Sequence, residues 1–205
     1  MLNPHMRDGG FSIISVAGAL IIMSLLMAAA LHLVLDHRRR ASLFADHALA
    51  QQEAEAALAA AECRIAVATG TPRRESCDAT LDAEEMAALD PSTLAGFVPG
   101  RCGTGMTRGL CWPLQEQPAQ SLSRLLADEP DAATLSPTVQ TGARQPALPA
   151  RYVIEPIPDG LSGHWVHAGS AHAPSLFRIT AVGFGTDREI NVMLQTVYRP
   201  QVGGP

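Results

Sequence analysis

Four cysteines, Cys63, Cys77, Cys102 and Cys111, and seven histidines are the side chains best equipped for chemistry in this 205-residue chain. The cysteines are even in number, and no two have Cys-x-x-Cys spacing. Structural zinc sites favour such close pairs, so a zinc centre is the weaker reading. The stronger one is a disulfide framework formed in an oxidising compartment. Three connectivities are open to four cysteines. The local pairing, Cys63 with Cys77 and Cys102 with Cys111, closes loops of moderate size and is the favoured one, each bond contributing ~2–4 kcal/mol. His164, His167 and His172 form the dense histidine cluster. His-x-x-His can place two ligands on a helix, but Trp165-Val166 and Gly169 point to strand or loop, and no nearby acid completes a zinc site. Six acids, Glu75, Asp78, Asp82, Glu84, Glu85 and Asp90, follow Arg74 with no Arg among them. Their spacing does not match a calcium-binding EF-hand loop, which also needs Gly at its sixth place, so they read as a solvated acidic helix. A Ser-His-Asp set would lack a Gly-x-Ser-x-Gly elbow. Gly100-Arg101-Cys102-Gly103-Thr104-Gly105 lacks the Gly-Lys-Ser/Thr end of a phosphate loop. The chain is therefore expected to be no enzyme and to hold no cofactor or metal.

The element that dominates the layout is an apolar run. Phe11 to Leu35 is 25 residues without Asp, Glu, Arg or Lys. As a helix it is ~37 Å long, enough to cross a hydrocarbon core ~30 Å thick with some tilt. His32 is the one titratable side chain inside it, near the end. Ser12, Ser15 and Ser24 can bond back to helix carbonyls, and Gly18 is tolerated in membrane helices. A buried helix of a soluble protein would need a larger core than the remaining residues can build. A cleaved signal peptide is the other alternative, with Arg7 before the run and Ala28-Ala29-Ala30 as an A-x-A site. Leu31 to Leu35, however, continues the run past that site. The formal net charge is −5 and all 15 cationic residues are Arg. That balance excludes a basic nucleic-acid-binding surface. Arg38, Arg39 and Arg40 would by the positive-inside rule hold the C-terminal part in the cytoplasm. The cysteines argue for the oxidising side, and that orientation is the one expected.

Beyond the span, residues 36–68 are rich in Ala with Gln and Glu interspersed, and no Pro or Gly interrupts until Gly70 and Pro72. Ala has the best helix propensity, so the membrane helix should continue outside lipid. Phe44, Ala48, Leu58 and Ile65 lie near one face and are expected to pack on a sheet. Residues 69–150 read as a variable loop region holding three of the four cysteines, with short helices at Thr80 to Leu89 and Ser121 to Asp128 and a loose loop over Ser136 to Pro149. Residues 151–205 read as strands. Tyr152-Val153-Ile154-Glu155 is a short one closing at Pro156 and Pro158. Ser175 to Phe184 alternates, Gly185-Thr186-Asp187 turns, and Ile190, Val192 and Leu194 alternate in the return strand. The pair makes an antiparallel hairpin with one apolar face to cover the helix. Trp165 and Val166 can seed a further strand.

Gly9-Gly10-Phe11-Ser12-Ile13-Ile14-Ser15, after a short polar leader, resembles the leader site of type IV prepilins. His47 to Leu58, with Ala50-Gln51-Gln52-Glu53-Ala54-Glu55-Ala56-Ala57-Leu58 at its centre, is similar to the helix that follows the span in PilX-type minor pilins. Gly109-Leu110-Cys111 and the stretch from Phe177 to Arg199 resemble that family too. The likeness covers roughly residues 7–65 and 175–199. It implies an α+β, pilin-like fold, in which a long N-terminal helix, membrane-spanning in its first half, packs on a C-terminal antiparallel β-sheet. It implies residues 1–10 as a leader cut by the prepilin peptidase between Gly10 and Phe11, and N-methylation of Phe11. It implies an inner-membrane subunit with a periplasmic head that joins other minor pilins and the major pilin, primes assembly near the filament tip, and supports motility and adhesion with a large tip adhesin. Most pilins have Glu at the fifth mature position, where this chain has Ser15. In the family that Glu is thought to neutralise a neighbour's N-terminal ammonium, and its loss also occurs in tip subunits. The departure favours a minor subunit. The alternatives are a tip pseudopilin of type II secretion, which usually carries a larger inserted domain, and a single-span envelope enzyme or sensor.

Overall fold

The computed structural model describes residues 11–71, 77, 79–112, 125–127, 131–136, 144–157 and 176–200. The leader, the histidine cluster and Trp165 lie outside the described residues. So does the short helix expected over Ser121 to Asp128, apart from residues 125–127, where Leu125 and Leu126 are helical. The chain divides into two compact units, 1–45 and 46–205. One helix, α1 (Phe11–Thr69), is 59 residues long and contributes to both. The secondary structure after it is α2 (Ala83–Ala88), a 3₁₀ turn (Gly105–Thr107), β1 (Ala133–Thr134), β2 (Arg151–Ile157), β3 (Leu176–Phe184) and β4 (Asn191–Tyr198).

In the first unit α1 keeps its apolar side chains in the open all the way round. Ile14, Leu20, Ile21, Met27 and Leu33 each expose more than half of their surface. Nothing in the most apolar window of the helix is buried. Ser24 Oγ donates to Leu20 O at 2.7 Å, so its hydroxyl is satisfied within the helix.

The second unit is built on a four-stranded antiparallel sheet in the order β1-β2-β3-β4. Of the four helix residues expected to pack on the sheet, Ile65 is buried and Leu58 half-buried, but Phe44 and Ala48 lie outside the packed stripe. Phe44 is 82% exposed and Ala48 is exposed. The buried stripe is Asp46, Ala50, Ala54, Ala57, Ala61 and Ile65, with Leu58 half-buried at its flank. Steps of four, four, three, four and four keep these residues on one face. The physical reason for small residues is Gly183 of β3. A Cβ there would collide with Ala50 O and Ala54 N. Helix backbone and strand backbone touch at that point, and only methyl groups fit beside it. Below this contact the gap widens and fills with Ile65, Leu89, Phe97, Ile154, Phe177 and Ile179. The Phe97 and Phe177 rings stack at 5.8 Å between centroids.

The sheet departs from the expected hairpin in three ways. First, both faces of its middle are buried. Phe177, Ile179 and Ala181 lie on the face toward the helix, while Val153, Val182 and Phe184 join Cys111, Leu125 and Ala132 in a second core on the other face. Second, β2 does not close at Pro156 but runs through it, with Pro156 in register with Phe177, and ends at Ile157, next to Pro158. Ile154, of the same parity, directs both N–H and C=O to Gly109 O and Cys111 N. Pro156 therefore lacks its N–H on the side away from β3, where no ladder bond is lost. Third, the region expected to be loop supplies β1, two residues paired with Arg151 and Tyr152. The acidic run has a more modest outcome. It yields α2, one and a half turns long, capped by Asp82, whose side chain accepts from Glu85 N.

Candidate assembly interface

Both disulfides follow the favoured local pairing. Cys63 on α1 is bonded to Cys77, fourteen residues on, and Cys102 to Cys111, nine residues on. The second closes a small structured loop. Gly103 N donates to Leu110 O at 2.9 Å, Thr107 Oγ1 to Thr104 O at 3.0 Å, and the 3₁₀ turn fits between. Gly109 turns the chain with φ +84°, a conformation that suits glycine. The loop then docks on the edge of β2: Ile154 N donates to Gly109 O at 2.7 Å and Cys111 N to Ile154 O at 2.9 Å. The loop thus extends the sheet beyond the two-residue β1 and seals the second core, which contains Cys111 itself.

Polar ties hold the remaining joints. Arg151, 4% exposed, donates through Nη1 to Leu125 O at 2.8 Å and Ala127 O at 2.6 Å, and its guanidinium lies 5.3 Å from the Phe184 ring centre. Glu155, 1% exposed, is bonded to Arg178 Nε at 2.9 Å directly across the β2–β3 ladder. Arg64 reaches both Tyr152 Oη at 3.1 Å and Glu85 at 3.4 Å. Asp46 is the first residue of the buried helix stripe. Its Oδ1 accepts from Arg144 Nη1 and from Thr186 Oγ1, both at 2.9 Å. It joins α1, the segment before β2 and the β3–β4 turn. Sequence reasoning missed this joint. The one available signal was an acid placed four residues before Ala50 on the same face as an all-alanine stripe.

Of the residues expected to matter for processing, Gly10 lies outside the described residues. Phe11 is the first residue of α1, and Ser15 lies exposed in its second turn. No Asp, Glu, Arg or Lys stands between Phe11 and Leu35. The histidine cluster lies outside the described residues, and among the described residues no three of His, Cys, Asp and Glu converge to hold a metal. What the arrangement offers is a large apolar helix surface and a stapled β-head. That is equipment for burial in lipid and against other subunits.

The family model described as the C-terminal part of type IV pilus assembly protein PilX matches residues 98–200, half of the chain. The chain belongs to the PilX family. The match begins just before the Cys102–Cys111 loop and ends just past β4, so it takes in the sheet and the loop that completes it. The resemblance read from the sequence is redistributed by this finding. Its C-terminal part, 175–199, lies inside the match, its N-terminal part, 7–65, lies outside, and the match also takes in residues 98–174, where the sequence resemblance rested on Gly109-Leu110-Cys111. No curated protein and no solved structure matches the chain significantly. This PilX-family chain takes part in type IV pilus assembly alongside other pilus components. With α1, which among the described residues is the helix long and apolar enough to cross a membrane, it is a membrane-anchored pilin.

Proposed function

We infer that this PilX-family protein is a minor pilin of the priming complex, held in the inner membrane with its head in the periplasm until it enters the filament near the tip. Residues 1–10 are its leader, cut after Gly10 by the prepilin peptidase, and Phe11 becomes an N-methylated terminus. The observation that carries the reading is Ser15, in an apolar helix surface with no acid between Phe11 and Leu35. An unpaired charge is costly in lipid, so a carboxylate at that depth would be a docking signal for a neighbour's terminal ammonium. Ser15 cannot supply it. A subunit of this kind is suited to starting a filament and unsuited to repeating along one. The two disulfides support a head that matures in an oxidising compartment. Its partners are the other minor pilins, the major pilin and, through the tip, a large adhesin, so that motility and adhesion depend on it indirectly.

The test is the number of surface pili in a deletion strain, with and without the retraction motor. A priming role predicts few pili after deletion, major pilin accumulating in the membrane, and partial recovery when retraction is blocked, because the defect lies in initiation. Unchanged piliation would reject the priming role. Filaments built mainly of this chain would overturn the minor-pilin reading.

A further inference from the structure

The apolar run ends at Leu35, and three consecutive arginines follow within five residues. Arg38, Arg39 and Arg40 are all exposed on α1. Asp36 is the one acid beside them and bonds Arg40 at 2.8 Å. Among the described residues neither Arg38 nor Arg39 has a carboxylate partner. Successive helix residues are rotated by about 100°, so the three guanidiniums cover about 200° of the circumference, and His37 extends this to about 300°. This is a collar around the helix at one level and not a patch on one side. A protein partner docks against one face, whereas a layer of lipid headgroups surrounds a helix completely. The depth also fits. The arginines lie ~4–8 Å beyond Leu35 along the axis, and the headgroup region adds ~5–8 Å to each side of the hydrocarbon core. Guanidinium forms paired hydrogen bonds with phosphate oxygens, and its flexible stem can lie along the acyl boundary. Residues 46–205 are acidic, with 18 Asp and Glu against 11 Arg, so the collar runs against the charge of the rest of the chain.

We propose that Arg38, Arg39 and Arg40 form a binding collar for the phosphate groups of anionic phospholipids, fixing the depth of α1 in the bilayer. The proposal rests on the membrane-anchored reading but on neither its orientation nor the priming role. Each arginine near an anionic surface strengthens binding by about fivefold.

The test is native mass spectrometry of the full chain released from detergent containing equal amounts of phosphatidylglycerol and phosphatidylcholine. The collar predicts at least tenfold more phosphatidylglycerol adducts. Arg38→Gln with Arg39→Gln should bring the ratio near one. Arg101→Gln with Arg108→Gln, which removes the same charge from exposed positions elsewhere, should leave it unchanged. An excess of inorganic phosphate should not displace the lipid; displacement would mean a site for free phosphate and overturn the lipid assignment. Alkali-resistant flotation with phosphatidylcholine vesicles reports anchoring separately. Loss of flotation would overturn the anchor and the collar together. Flotation with a wild-type adduct ratio near one would overturn the collar alone and leave the triplet to an acidic protein partner.

Discussion

Asp46 and Gly183 illustrate how single residues decide where the helix meets the sheet. Asp46 is an almost fully buried carboxylate that accepts from Arg144 and Thr186. A hydrogen bond to a charged group is worth more than a neutral one, but Arg144 is half exposed and solvent weakens that contact. Asp46→Ala is expected to lower head stability by about 1–2 kcal/mol, and Thr186→Ala by about half as much. Chemical denaturation of the detergent-solubilised chain, followed by near-ultraviolet circular dichroism, measures both. Gly183→Ala should cost more than either, about 3 kcal/mol, because the new methyl meets the backbone of Ala50 and Ala54, which cannot rotate away. An alanine variant as stable as the wild type would show that helix and strand are not in backbone contact there. Neither residue could be singled out beforehand. Asp46 looks like one of many acids, and a strand glycine has several possible reasons, until the partner element is known.

The disulfides are where elements are joined, and they act on different joints. Cys63–Cys77 ties the last turns of α1 to the chain that leaves it, while Cys102–Cys111 closes the loop that extends β2. Loops of this size contribute ~3 kcal/mol each through the unfolded state. Cys63→Ser with Cys77→Ser, and separately Cys102→Ser with Cys111→Ser, should each lower the free energy of unfolding by that order. The second pair should in addition disturb β2, seen as faster amide exchange at Ile154. In protein taken from the envelope, thiol labelling before reduction should modify no cysteine; labelling of all four would place the head in a reducing compartment. At this scale the sequence was informative where the pattern is local. Ala-rich continuity gave α1, alternation gave β3 and β4, and cysteine spacing favoured the local pairing among three open ones. It was silent where pairing is distant. β1 is two residues long and has meaning only beside Arg151 and Tyr152. Pro156 looks like a strand end until the open side of β2 is known. The second core was hidden because Thr180, Val182 and Phe184 look like the solvent face of a simple hairpin.

For the whole molecule, the fold class was legible in one uninterrupted apolar run followed by a polar head with cysteines, and the family in the resemblance carried by short stretches, Gly9 to Ser15, His47 to Leu58 and Phe177 to Arg199. The helix is too apolar to be left in water and exposes its side chains all round, so it must be buried in lipid or among other helices. The filament position was not legible and stands on Ser15 alone. The account therefore depends most on α1 being the helix of a processed pilin and not a plain anchor. Mass spectrometry of the N terminus of protein purified from cells that contain the prepilin peptidase tests this most directly. The account predicts a mature chain that begins at Phe11, bears one N-methyl group, and is no longer produced when Gly10→Val is introduced. An intact Met1 terminus, or one at Leu31 from ordinary signal-peptide cleavage, would contradict it.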